Sequence, residues 1–167
     1  MHRQRKEKDH LRKEISIDPM TGLFNRRVLD NQMMEVISHS RIKEKQIALI
    51  SIDANKFKQI NDNYGHLVGD QAILHIAKSM LLCSGENDFS IRMGGDEFLL
   101  VMPDSSATLA QQMTERLERH VLETSTKDIG IEVSISAAYT MLENSESFDQ
   151  AYRRVDSVLY TKKGLTI

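Results

Sequence analysis

Three acidic positions give the first chemical hint. Asp53 closes the apolar run Gln46 to Asp53 (QIALISID), and Asp96-Glu97 follow Gly94-Gly95 between two short strand-like runs. If those strands are neighbours, two or three carboxylates converge with no His or Cys beside them, which is a hard-cation donor set. Mg²⁺ suits it, with Mn²⁺ as a substitute, because Mg²⁺ keeps waters and completes its octahedron with substrate phosphates. A nucleoside triphosphate is then the natural substrate. Gly94 and Gly95 lack a Cβ, so a purine or phosphate can approach their backbone N–H groups. An ordinary hairpin turn has the same Gly-Gly-Asp pattern, and spacing alone leaves both readings open.

Other chemistries lack their signals. Cys83 stands alone and the six His have no metal spacing. No P-loop, zincin or nucleophile-elbow string occurs. Asp53-Ala54-Asn55 opens like a calcium loop, but Phe57 and Lys58 stand where that loop needs a ligand and a glycine. A net charge of −2 gives no basic field for nucleic acid. With 167 residues, 40% of them hydrophobic, one globular domain is expected. The apolar stretch Ile47 to Ile52 is far shorter than the roughly 20 residues a membrane span needs. A single cysteine fits a reducing compartment, so the cytoplasm is expected.

The elements that must position these residues follow from periodicity. Residues 2–14 are charged helix formers, read either as a solvated helix or as the end of a stalk with Leu11 and Ile15 as its seam. Val28, Leu29, Met33, Val36 and Ile37 predict a helix over 25–41. The run ending at Asp53 predicts a strand buried on both faces. A short helix over 55–62 and a turn over 63–66 follow. Ala72, Ile73, Ile76, Ala77, Met80 and Leu81 then mark the core face of a second long helix. Two strands, 89–93 and 97–102, form a hairpin that Pro103 ends. A helix over 107–124, a strand over 131–141 and a last helix using Phe148, Ala151, Val155, Val158 and Leu159 complete the order. Helices and strands in that order predict a mixed sheet covered by helices.

The string Arg92-Met93-Gly94-Gly95-Asp96-Glu97-Phe98 resembles the signature of the GGDEF family, the diguanylate cyclases. Asp18-Pro19-Met20-Thr21-Gly22-Leu23-Phe24-Asn25-Arg26-Arg27 is similar to that family's leading motif, and the stretch from Asp53 to Asp70 to its metal and base motif. Val133 to Ser136 and Asp156 to Lys163 resemble its closing strand and helix. The resemblance implies an α/β (α+β) fold, a central five-stranded mixed sheet with flanking helices like the palm of nucleotidyl cyclases. It also implies a division into 1–17, a stalk or linker, and 18–167, the GGDEF domain.

Carried over by position, Asp53, the Ala54 carbonyl, Asp96 and Glu97 would hold the metal. Glu97 would serve there or in deprotonating the 3′-hydroxyl. Asn61 and Asp70 would read the guanine edge, Lys58 and Lys163 would contact phosphates, and Gly94 and Gly95 would line the substrate. The implied reaction condenses two GTP to cyclic di-GMP in a homodimer of half-sites. An upstream sensor or membrane region would feed the domain, and no nucleic acid partner is implied.

Three positions depart from the family pattern. Its product-inhibition Arg-x-x-Asp reads Gly85-Glu86-Asn87-Asp88, and glycine cannot supply arginine's bidentate grip. No Gly-Arg-Asn follows Lys163. Asn55 replaces a usual aspartate, with a small effect expected. The alternative these changes raise is a weak or inactive domain that binds GTP or a protein partner for regulation.

Overall fold

Alternate side chains of the run around residue 50 are apolar on both sides, so this strand belongs inside a sheet covered on both faces. β2 (Gln46–Ala54) lies between β4 (Glu97–Ser105) and β5 (Ile135–Met141), antiparallel to both. The computed structural model describes residues 16–164; residues 1–15, with the expected stalk and its seam, and 165–167 lie outside the described residues. β3 (Phe89–Gly94) pairs antiparallel with β4, and the two-residue β1 (Phe24–Asn25) pairs parallel with β3. The five-stranded mixed sheet has the order β1-β3-β4-β2-β5.

Helices cover both faces. Ala48, Ile50 and Ile52 face α3 (Phe57–Tyr64), α4 (His66–Cys83) and α5 (Ala107–Ile129), whose Ile60, Ile73, Ile76 and Leu117 join the same cluster. Ile47 and Leu49 face the other way, onto α1 (Val28–Asn31), α2 (Met33–Ile42) and α6 (Phe148–Gly164), through Val28, Ile37 and Val155. Each such aliphatic side chain contributes about 1.5–3 kcal/mol on burial. With both faces of β2 covered, its C-terminal end is a rigid platform for whatever it carries.

Local details differ from the expectations above. The helix expected over 25–41 is split: Phe24 and Asn25 join the sheet, and Gln32 leaves helical geometry between α1 and α2. Pro103 lies inside β4 instead of ending it. Gln46 pairs with Ser105 and Ala48 with Met102, so an irregularity in the ladder accommodates a residue that has no N–H to donate. α5 runs on to Ile129, capped at its start by the Ser106 hydroxyl and closed by Gly130 in the left-handed region. The strand expected from 131 begins at Ile135. Leu81 and Val158, assigned to core faces, are exposed because each lies beyond the apolar arc of its helix. Cys83 is buried, as expected of a packing residue.

The end of α2 shows a correctable strain. The Lys45 N–H bonds Ser40 O and the Glu44 N–H bonds Arg41 O, a Schellman closure that requires the left-handed region at residue 44. Glu44 occupies it with φ 55°. Left-handed geometry costs an L-residue about 1–2 kcal/mol, against roughly 0.5–1 kcal/mol of extra chain entropy for glycine. Glu44→Gly is therefore expected to stabilise the protein by up to about 1 kcal/mol, read as a higher urea midpoint at unchanged slope.

Candidate functional site

Because β2 and β4 are antiparallel, residues opposite in register share a face. Asp53 pairs with Glu97, which puts both carboxyls on the side covered by α6. The Ala54 N–H bonds the Asp96 carbonyl at 3.1 Å, drawing the hairpin tip onto the end of β2. From α6, the Lys163 ammonium reaches Asp53 Oδ2 at 3.3 Å. Burial pushes the Asp53 carboxyl above the ordinary aspartate value; Lys163 opposes this, and Asp96 and Asp156 add to it. Glu97 is raised by burial and then by Asp53, Asp156 and Asp96, with Arg26 opposing. These groups repel one another electrostatically, so a cation between them is favoured.

The hairpin tip is anchored by its own signature. Arg92 donates to the Gly95 carbonyl at 3.0 Å and to Asp18 Oδ2 at 3.3 Å. The same Asp18 oxygen accepts from the Thr21 hydroxyl at 2.7 Å and N–H at 3.0 Å. Burial works against the Asp18 charge, but Thr21 and Arg92 outweigh it and hold the carboxyl below the usual aspartate value. Gly94 and Gly95 are exposed, neither has a positive φ, and a methyl on either would meet nothing within 4 Å. The chain's own turn does not require glycine there, which favours the reading of a surface left bare for a ligand.

The other expected residues separate into groups. Lys58 is exposed on α3, and Asp70 is exposed in the second turn of α4. Asn61 ends against Gly69 at the α3–α4 junction. Asn55 is tied to β5 and the residues before it: its amide donates to Ser134 Oγ at 3.0 Å and accepts from Ser136 Oγ at 2.7 Å, and Ser136 stands opposite Asp53 in register. A cleft of about 570 Å³, lined by Asn55, Tyr64, Ser134 and Lys163, opens beside the Asp53–Lys163 pair. In the stretch before β3, the Gly85 N–H closes a turn onto Asp88 Oδ2 at 2.7 Å.

Two contributors had no role in the sequence reading. Asp156 faces Asp53 and Glu97 electrostatically. Tyr152 has its phenol raised by burial and then by Asp156 and Glu97, with Arg26 opposing. Their signal was present: Tyr152, Asp156 and Lys163 recur at one-turn and two-turn intervals, so they share a side of one helix.

Among the described residues, no three His, Cys, Asp or Glu side chains stand close enough to hold an ion unaided. Two carboxylates leave the remaining positions to water and phosphate oxygens, the coordination a hard divalent ion accepts. The ammonium on Asp53 already shows that a cation is favoured at this point, so the donor set fits such an ion.

Comparison with known proteins is consistent with this geometry. The family described as "Diguanylate cyclase, GGDEF domain" matches residues 15–165. The probable diguanylate cyclase DgcJ of Escherichia coli strain K12 is 37% identical over 153 residues, covering 91% of this chain and 30% of that protein. Diguanylate cyclase VdcA of Vibrio cholerae is 36% identical over 160 residues, covering 93% and 46%. The chain thus spans less than half the length of these curated relatives. Among solved structures, the coiled coil and GGDEF domain of DgcB from Caulobacter crescentus, in complex with c-di-GMP, superposes with a TM-score of 0.84 at 25% identity, covering 97% of this chain and 87% of that one. Diguanylate cyclase SiaD from Pseudomonas aeruginosa, with its activator SiaC, superposes with a TM-score of 0.83 at 30% identity, covering 97% and 64%.

The half-buried Arg92–Asp18 contact predicts a stability effect with a pH signature. A charge-assisted bond of this kind contributes about 1.5–3 kcal/mol. The lowered Asp18 carboxyl stabilises the fold above its unfolded value, and that stabilisation is lost as pH falls through the lower folded value. Arg92→Ala is expected to lower stability near pH 7 by about 1.5–3 kcal/mol and to flatten the decline below about pH 4. Urea melts across that pH range test both parts.

Proposed function

The chain belongs to the GGDEF domain family, and on that premise we propose that it is a Mg²⁺-dependent diguanylate cyclase. It joins two GTP into cyclic di-GMP with release of two pyrophosphates, as a dimer in which each subunit supplies half a site. The observation that carries this reading is the pairing of Asp53 with Glu97, with Lys163 on Asp53 and the Asp96 backbone drawn onto the end of β2, at a solvent-facing tip of two bare glycines. Cytoplasmic GTP is the substrate, and a sensor region of the longer protein controls pairing.

Asp53 and Asp96, with the Ala54 carbonyl, would hold the ion. When bound, it neutralises the charge that builds on the phosphates during in-line displacement. Glu97 either completes its ligands or accepts the proton of the attacking 3′-hydroxyl; a carboxylate with a raised pKa is the better base. That oxygen bonds the α-phosphorus as the bond to pyrophosphate breaks, and the second subunit repeats the step. Lys163, released from Asp53, and Lys58 are point charges for phosphate oxygens. Asn61 and Asp70 pair with the guanine edge, which discriminates against adenine because the wrong edge leaves them unpaired.

The Asp88 carboxylate is engaged in its own turn and has no arginine at position 85, so tight product inhibition at that motif is not expected.

Purified protein incubated with GTP and Mg²⁺ over a range of protein concentrations, with products separated by chromatography, tests the proposal. Cyclic di-GMP rising faster than linearly with protein supports it. GTP binding without product at the highest concentration overturns it in favour of a regulatory binding module. Asp53→Ala and Asp96→Ala should each abolish turnover while leaving thermal unfolding cooperative.

A further inference from the structure

Gly69 lies in the first half of α4, a helix interior where glycine is a poor choice. Its φ is not in the left-handed region, so the backbone does not require it. The reason is across the helix junction. Gly65, with φ 89°, turns the chain sharply between α3 and α4, its N–H bonding Asn61 O and its carbonyl accepting from the Gly69 N–H. That turn lays the last part of α3 on the first turns of α4. The Asn61 side chain then occupies the space where a residue-69 side chain would stand: a Cβ there would overlap Oδ1 outright and sit 3.0 Å from Cγ and 3.6 Å from Nδ2. Among the described residues the Asn61 amide has no hydrogen-bond partner, so contact with Gly69, rather than a polar bond, sets its direction.

We propose that Gly69 is a positioning residue for the nucleobase: its missing side chain is the floor on which the Asn61 amide rests, poised to donate to a ring acceptor of guanine. The inference rests on the proposed guanine-binding role of Asn61. The colliding atoms belong to the end of a mobile side chain, so a methyl at 69 moves the amide and leaves the helices in place. The fold does not suffer, because alanine favours the helix. The base contact does.

The test compares wild type with Gly69→Ala, Asn61→Ala and the double variant, measuring KM and kcat for GTP, the affinity for a non-hydrolysable GTP analogue, and thermal unfolding. Losing one hydrogen bond to the base predicts roughly a fivefold to tenfold rise in KM and analogue Kd for Gly69→Ala, with kcat nearly unchanged. The melting temperature should hold or rise. The double variant should bind no worse than Asn61→Ala alone, since both changes remove the same contact. Wild-type KM in Gly69→Ala overturns the proposal, as does a double variant whose loss is the product of the two single losses. Wild-type KM in Asn61→Ala removes the guanine-binding role of Asn61 itself, and the proposal with it.

Discussion

Asp53 and Glu97 sit opposite one another in an antiparallel ladder, and ionised carboxylates in that relation repel. The rest of the molecule is arranged so that this repulsion persists in the folded state. β2 is packed on both faces, which denies its end the freedom to move away. The Arg92 clamp to Asp18 and to the Gly95 carbonyl holds the hairpin tip against it, and α6 brings Asp156 to the same side. Among the described residues Lys163 is the cation that bonds Asp53, and the Asp53 carboxyl stays raised despite it. A site of this kind holds its carboxylates raised and favours a positive charge between them.

The other end of the proposed nucleotide meets different physics. Asn61 and Asp70 are set by helix geometry, through the sharp turn at Gly65 and the close approach at Gly69, and not by charge. Both ends nevertheless start from one place, because α3 and α4 follow directly from the C-terminal end of β2. A rigid strand end thus fixes the separation between the Asp53–Glu97 pair and the α3–α4 junction that holds Asn61 and Asp70. The strained Lys56, left-handed at the start of α3, lies at the bend that makes this possible.

Much of this was legible before any coordinates. The double-sided apolar run predicted a strand buried on both faces, as β2 is, and its terminal Asp53, the hairpin tip with Asp96-Glu97, and the last helix were placed where they occur. The bonds of the Asn55 amide to Ser134 and Ser136 had no counterpart in the sequence reading. The misses share a cause. The β1 pairing with β3, the ladder irregularity at Pro103 and the exposure of Leu81 depend on what lies across the fold, which a local pattern does not contain.

The sequence by itself determined the order of elements from β2 onward, the carboxylate set and the family resemblance, because side-chain periodicity and motif spacing are properties of neighbouring residues. Only the tertiary structure decided that Asp53 faces Glu97, that Arg92 ties the tip to Asp18, that Asp156 and Tyr152 join the charged cluster, and that Gly69 makes room for Asn61. Register, through-space charge and steric contact act between residues far apart in the chain, and they exist only once the sheet and helices have packed.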